Sequence, residues 1–186
     1  MRPARDVVMA VMAPPFAMVT LYGEFRLKVR GVYDVCVVYL VRTRRTLFGR
    51  RTEILLGEKL TGLGTGKFVG AGGKLEAGED ARAAAVREVH EELGVVVDPA
   101  DLEPISLITY PFVDRDEWSQ RSHGFVARSW TGAPAASDEL APHWFDTRHI
   151  PFDRMWADAR TWLPQALAGE FIERTIEFRA DGTMVG

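Results

Sequence analysis

Residues 66–95, GKFVGAGGKLEAGEDARAAAVREVHEELGV, constrain this chain more than any other stretch. Asp80 to Leu93 is predicted to be a helix: it is rich in Ala, Glu and Arg, acids stand in its first turn, and Gly94 occupies the place of a C-terminal cap. At 3.6 residues per turn Val86, Val89 and Leu93 fall on one face, suited to a core. Glu88, Glu91 and Glu92 gather on another at i, i+3 and i+4, where neighbouring like charges repel by a few tenths of a kcal/mol per exposed pair. A cation between them converts that repulsion into coordination. Hard oxygen donors on one rigid face suit Mg²⁺, which leaves its other positions to water and phosphate oxygens.

The residues around the acids fit the same chemistry. Arg87 lies four residues before Glu91 and can pair with it, or reach back to Glu79. Gly70, Gly72 and Gly73 allow a sharp turn and a close backbone approach to a phosphate or metal, and Lys74 adds positive charge there. No GK[ST] ending marks the run as a P-loop. The bland alternative, a solvated amphipathic helix, accounts for the acids but not for the glycines, the arginine and the spacing together.

Gly73, five residues, Glu79, seven residues, then Arg87-Glu88-Val89-His90-Glu91-Glu92-Leu93-Gly94-Val95 resembles the Nudix box, G-x5-E-x7-R-E-U-x-E-E-x-G-U with U aliphatic, and fills all nine of its fixed positions. The resemblance implies an α/β fold, a Nudix-type α/β/α sandwich with a mixed sheet between helices.

Composition sets the frame. With 186 residues, 47% of them hydrophobic, the chain suits one domain, read here as residues 31–186 behind an extension over residues 1–30. A formal charge of −3 argues against a nucleic acid polymer as partner. Arg42, Arg44, Arg45, Arg50 and Arg51 are expected to decorate a hairpin loop. The one cysteine, Cys36, excludes an internal disulfide and fits a buried position in a reducing, cytoplasmic setting. The four histidines lack zinc spacing. The apolar run from Val7 to Tyr22 is split by Pro14-Pro15 and is too short to span a membrane, so no membrane partner is expected; an edge strand is expected at residues 17–21.

Strands are expected at residues 32–41, nearly all apolar and hence central in the sheet, and at 53–59, 102–112, 123–129, 139–146 and 171–178, with a second helix over 154–167.

From Ser137 onward, SDELAPHWFDTRHIPFDRMWADARTWLPQAL is similar to the oxidised-purine nucleoside triphosphate hydrolases, the 8-oxo-dGTP diphosphatases of nucleotide-pool sanitation. That resemblance implies a small-molecule nucleotide substrate, a monomer or homodimer, and Mg²⁺, or Mn²⁺ in its place, held by Glu88, Glu91 and Glu92 with the Gly72 or Gly73 carbonyl. Glu139 matches an acid near the metals, either a further ligand or an aid to water activation; a plain loop acid is the competing reading. Glu91, Arg87, Glu79 and Glu139 form the candidate catalytic group, with Glu91 favoured because Arg87 can hold it. Trp156 matches the aromatic on which the base stacks, whereas Trp144 and Trp162 read as core. Asp158 matches one of two adjacent aspartates that bond the purine edge; Phe68 and Leu63 match apolar walls, and Lys59 the pocket mouth. Two positions depart from the pattern: Ala159 replaces the second aspartate, and Val69 an asparagine that contacts the purine. Losing polar groups that read a base edge weakens discrimination more than changing an apolar wall. Hydrolysis of another nucleoside diphosphate linked to a group X, such as a dinucleotide or nucleotide sugar, is therefore the second reading. A non-catalytic sensing domain is the third, disfavoured because every box carboxylate is present.

Overall fold

The computed structural model describes residues 31–47 and 49–185; the edge strand expected at 17–21 lies outside them. Among the described residues seven strands form one mixed sheet: β1 (Tyr33–Thr46), β2 (Gly49–Lys59), β3 (Phe68–Val69), β4 (Leu102–Tyr110), β5 (Gln120–Ala127), β6 (Leu140–Asp146) and β7 (Ile172–Thr175). The order is β3-β2-β1-β5-β4-β7, with β6 also pairing β2. The β1–β5 and β4–β7 pairs are parallel and the others antiparallel.

Alternation along β1 sends side chains to two cores. Cys36, Val38 and Leu40 join Ala84, Ala85, Val89 and Leu93 of α1 (Ala81–Leu93). Tyr39 and Val41 join Ala159, Trp162, Leu163 and Ala166 of α2 (Ala159–Leu167) on the other side. The sheet thus lies between one helix per face, the sandwich expected. α1 is capped as its sequence suggests, with Asp80 accepting from the Arg82 and Ala83 N–H groups and Gly94 at φ 69°. Its first turn holds no acid, because Glu79 and Asp80 fall just before it.

Several boundaries differ from expectation: β5 begins at Gln120 rather than at 123, and β3 is a strand that the sequence does not announce. The basic stretch is strand rather than loop: β1 and β2 stay paired as far as Thr46 and Gly49, Arg42 bonds Glu53 at 2.8 Å, and Arg51 bonds Asp146 at 2.9 Å. α2 begins at Ala159, preceded only by a 3₁₀ turn at Phe152–Arg154. The last strand shortens to Ile172–Thr175.

β1 and β2 are paired from Leu40–Leu55 outward to the turn. Nearer the site they part, and residues 68–74 enter between them: β3 pairs with β2 at Gly57 and Glu58, while Ala71 and Lys74 bridge Val38 and Val35 of β1. Among the described residues no helix is long and apolar enough to cross a membrane.

Candidate active site

The inserted segment brings the glycines to α1. None of the three has a positive φ; they are needed for approach, not for a turn. A Cβ on Gly72 would stand 2.0 Å from the Cys36 carbonyl oxygen, and one on Gly73 2.4 Å from Glu88 Oε1. Gly72 N–H donates to Glu92 at 2.8 Å, and the Gly73 carbonyl accepts from Cys36 N–H at 2.9 Å.

Arg87 takes both partners that its spacing allows. Its guanidinium forks onto Glu79 at 3.0 and 3.1 Å, reaches Glu88 and Glu91 at 2.9 Å each, and donates to the Lys74 carbonyl at 3.1 Å. The Arg87 bond holds the Glu79 carboxyl below its usual range. The acids differ in burial. Glu92 is only 4% exposed, and burial, with Glu88 and Glu139 nearby, pushes its carboxyl up to about 7 against the opposing pull of Gly72 N–H and Lys59. Glu88 is raised chiefly by desolvation. Glu91 has a side chain 56% exposed, turned onto Arg87. Glu139 is exposed just ahead of β6, its carbonyl accepting from Leu60 N–H at 2.8 Å. Among the described residues no three of His, Cys, Asp or Glu are gathered closely enough to hold an ion as they stand.

On the α2 side of the sheet a cavity of about 270 Å³ opens against the same glycines. Lys59, Leu63, Phe68, Gly72, Lys74, Trp156 and Asp158, all expected from the sequence, line it. So does Val69. Trp156 stands edge-on to Phe112 and Phe178, centroids 6.3 and 5.4 Å away, with Lys67 Nζ 5.2 Å above its ring. Phe68 packs against Phe145 and carries the Arg154 guanidinium 4.4 Å above it. Asp158 is 2% exposed; its Oδ2 accepts from Tyr110 Oη and Trp162 Nε1, both at 2.8 Å, and burial raises its carboxyl. Trp162 is core, as expected, and Trp144 is half-buried, stacked on Trp130 and lying under Arg42.

The cavity also contains residues that the sequence did not single out: Tyr33, Tyr110, Gln120 and Ser122. Tyr33 reaches Gln120 and Ser122 only through the parallel β1–β5 pairing, which leaves no local mark in the sequence.

The family model of the NUDIX domain matches residues 33–166. An oxidized purine nucleoside triphosphate hydrolase of Danio rerio is 45% identical over 115 residues, 62% of this chain and 72% of that protein. The Mus musculus protein of the same description is 39% identical over 115 residues, again 62% and 72%. A crystal structure of a mutator MutT protein from Bacillus halodurans superposes with a TM-score of 0.66 at 20% identity, covering 83% of this chain and 95% of the other, a likeness of fold.

Proposed function

The chain belongs to the Nudix family, and on that premise we propose that it is a hydrolase of purine nucleoside triphosphates, oxidised purines above all, releasing nucleoside monophosphate and pyrophosphate. The observation that carries this reading is the double contact of Gly72 and Gly73, which line the cavity on one side and touch Glu92 and Glu88 on the other. A base lodged beside Trp156 extends its phosphates toward the carboxylates across a span of two glycines. The names of the zebrafish and mouse relatives support the same substrate class.

The donor set fits a hard divalent cation. Two desolvated carboxyls, Glu88 and Glu92, are raised by lack of solvent and by neighbouring acids, a cost that a cation relieves. Glu88, Glu91 and Glu92, with the Gly73 carbonyl, would hold Mg²⁺, or Mn²⁺ in its place. When bound, the ion supplies charge neutralisation on the phosphates and polarises the P–O bond.

The chain's own residues do the rest. Glu79 fixes Arg87, and Arg87 holds Glu88 and Glu91, so these two position the acids rather than touch substrate. Glu91 accepts the proton of the attacking water as its oxygen bonds to phosphorus and the opposite P–O bond breaks. Glu139 stands by as a second acid, and Lys59 and Lys74 set positive charge at the cavity mouth. Phe68, Leu63 and Trp156 enclose the base, with stacking on an indole worth about 1–3 kcal/mol.

The test is pyrophosphate release by purified protein with Mg²⁺ on 8-oxo-dGTP, 2-hydroxy-dATP, dGTP, dATP and a nucleotide sugar. Preference for an oxidised purine is the expected result. Turnover of the nucleotide sugar alone would instead select the second reading, a nucleoside diphosphate linked to X, which the apolar Val69 and Ala159 favour.

A further inference from the structure

The α2 side of the sheet presents polar groups that the chemistry above leaves unused. Gln120 and Ser122 alternate along β5 and so face the same side. In the ladder Gln120 lies opposite Tyr33 of β1 and Tyr110 of β4, and Ser122 opposite Val35 and Ile108. Tyr33, Val35, Tyr110, Gln120 and Ser122 all line the cavity, Gln120 between the two tyrosines.

Their hydrogen-bonding states divide these groups. Tyr110 Oη is committed to Asp158, and the Oδ2 of Asp158 to Tyr110 and Trp162. The Gln120 carboxamide and the Ser122 hydroxyl have no protein hydrogen-bond partner among the described residues, although Ser122 is buried. Both groups line the cavity, where a ligand can supply the partner that the protein does not. The walls where the sequence departs from its relatives' pattern, Val69 and Ala159, are apolar and offer a base edge nothing.

We propose that Gln120 and Ser122 determine base specificity by hydrogen-bonding the edge of the nucleobase, a proposal that rests on the nucleotide hydrolase reading above. A glutamine carboxamide sets a carbonyl acceptor beside an N–H donor in one plane. Its complement is an edge with donor beside acceptor, to which glutamine bonds in bidentate fashion. The lactam edge of an oxopurine, N–H beside C=O, is such an edge, and oxidation of a purine ring carbon beside a nitrogen adds another. Ser122, two residues along the same strand, both donates and accepts, and so reaches a neighbouring base atom of either kind.

The test is the ratio of kcat/KM for 8-oxo-dGTP, dGTP, 2-hydroxy-dATP and dATP in wild type, Gln120→Leu, Gln120→Glu and Ser122→Ala, each with Mg²⁺. Isothermal titration of the corresponding monophosphates gives binding apart from turnover. Gln120→Leu should compress the wild-type preference by about 10–100-fold. Gln120→Glu, which accepts but does not donate, should lose bases that present a carbonyl. A misfolded fraction lowers all substrates alike and leaves the ratio intact, so a changed ratio reports contact with the base. Unchanged ratios and affinities in both Gln120→Leu and Ser122→Ala would overturn the proposal while sparing the hydrolase reading. So would a wild type that cleaves all four triphosphates equally. A wild type that neither cleaves nor binds any of them overturns that reading, and this proposal with it.

Discussion

Replacing Glu92 by Gln separates stability from activity. The glutamine keeps an acceptor for Gly72 N–H but carries no charge. Burial and neighbouring acids move the Glu92 carboxyl from an ordinary 4.5 to about 7. The folded protein therefore binds the proton more tightly than the unfolded chain, and stability falls as pH rises through the window between 4.5 and 7. At about 1.4 kcal/mol per tenfold difference in proton affinity, the carboxylate costs roughly 3 kcal/mol at pH 8 and almost nothing at pH 4. With divalent ions chelated, Glu92→Gln should melt about 6–12 °C above wild type at pH 8, taking 2–4 °C per kcal/mol for a chain of this size. At pH 4 the two should coincide. Adding Mg²⁺ should raise the wild-type midpoint through preferential binding to the folded state and leave the variant nearly unmoved, while pyrophosphate release by the variant collapses. The check is a series of thermal melts from pH 4 to 8, with and without Mg²⁺. A difference between the proteins that stays flat with pH would refute the argument.

Three other outcomes follow from the same geometry. Gly72→Ala drives a Cβ into the Cys36 carbonyl and should destabilise by about 1–3 kcal/mol, whereas a Cβ on Gly73 meets first the Glu88 carboxylate, a side-chain end that can move, so Gly73→Ala should keep its melting point while losing at least tenfold in kcat; denaturant unfolding and initial rates read the two apart. Trp156→Ala should weaken nucleoside monophosphate binding by about 1–3 kcal/mol, measured by calorimetry, with little change in affinity for inorganic pyrophosphate. Asp158→Asn retains an acceptor for Tyr110 and Trp162 but loses a carboxyl that burial raises, so its stability relative to wild type should climb as pH rises above the ordinary aspartate range, as followed by melts across pH; an unchanging difference would remove the buried charge as the cause.

Helix α1 is legible in the sequence because its spacing, cap residues and charge all agree over one continuous stretch. Asp80 and Gly94 cap it as their types suggest. The arginine-bearing ends of β1 and β2 were hidden because their charges resemble loop composition, yet cross-strand bonds such as Arg42–Glu53 need an extended ladder. The start of α2 was misplaced because Met155 to Asp158 spend their backbone presenting Trp156 and Asp158 rather than continuing a helical face. Of the two reasons the sequence offers for the glycines, close backbone approach holds, toward Cys36 and Glu88, and the sharp turn does not. Cavity residues within the box and the MWAD run were found, while Tyr33, Gln120 and Ser122 were not. Tyr33 and Gln120 meet through a parallel pairing of strands far apart in the chain, and no local periodicity records such a pairing.

The seam where residues 68–74 part β1 from β2 divides labour between the faces of the sheet. In the function proposed above, bond breaking falls to the α1 face and the choice of base to the α2 face, and the two meet along that strip of backbone. Substitutions on β5 or at the start of α2, Ala159 among them, should therefore retarget the enzyme without disturbing the carboxylates. A change inside the seam has no such freedom, since it strikes both faces at once.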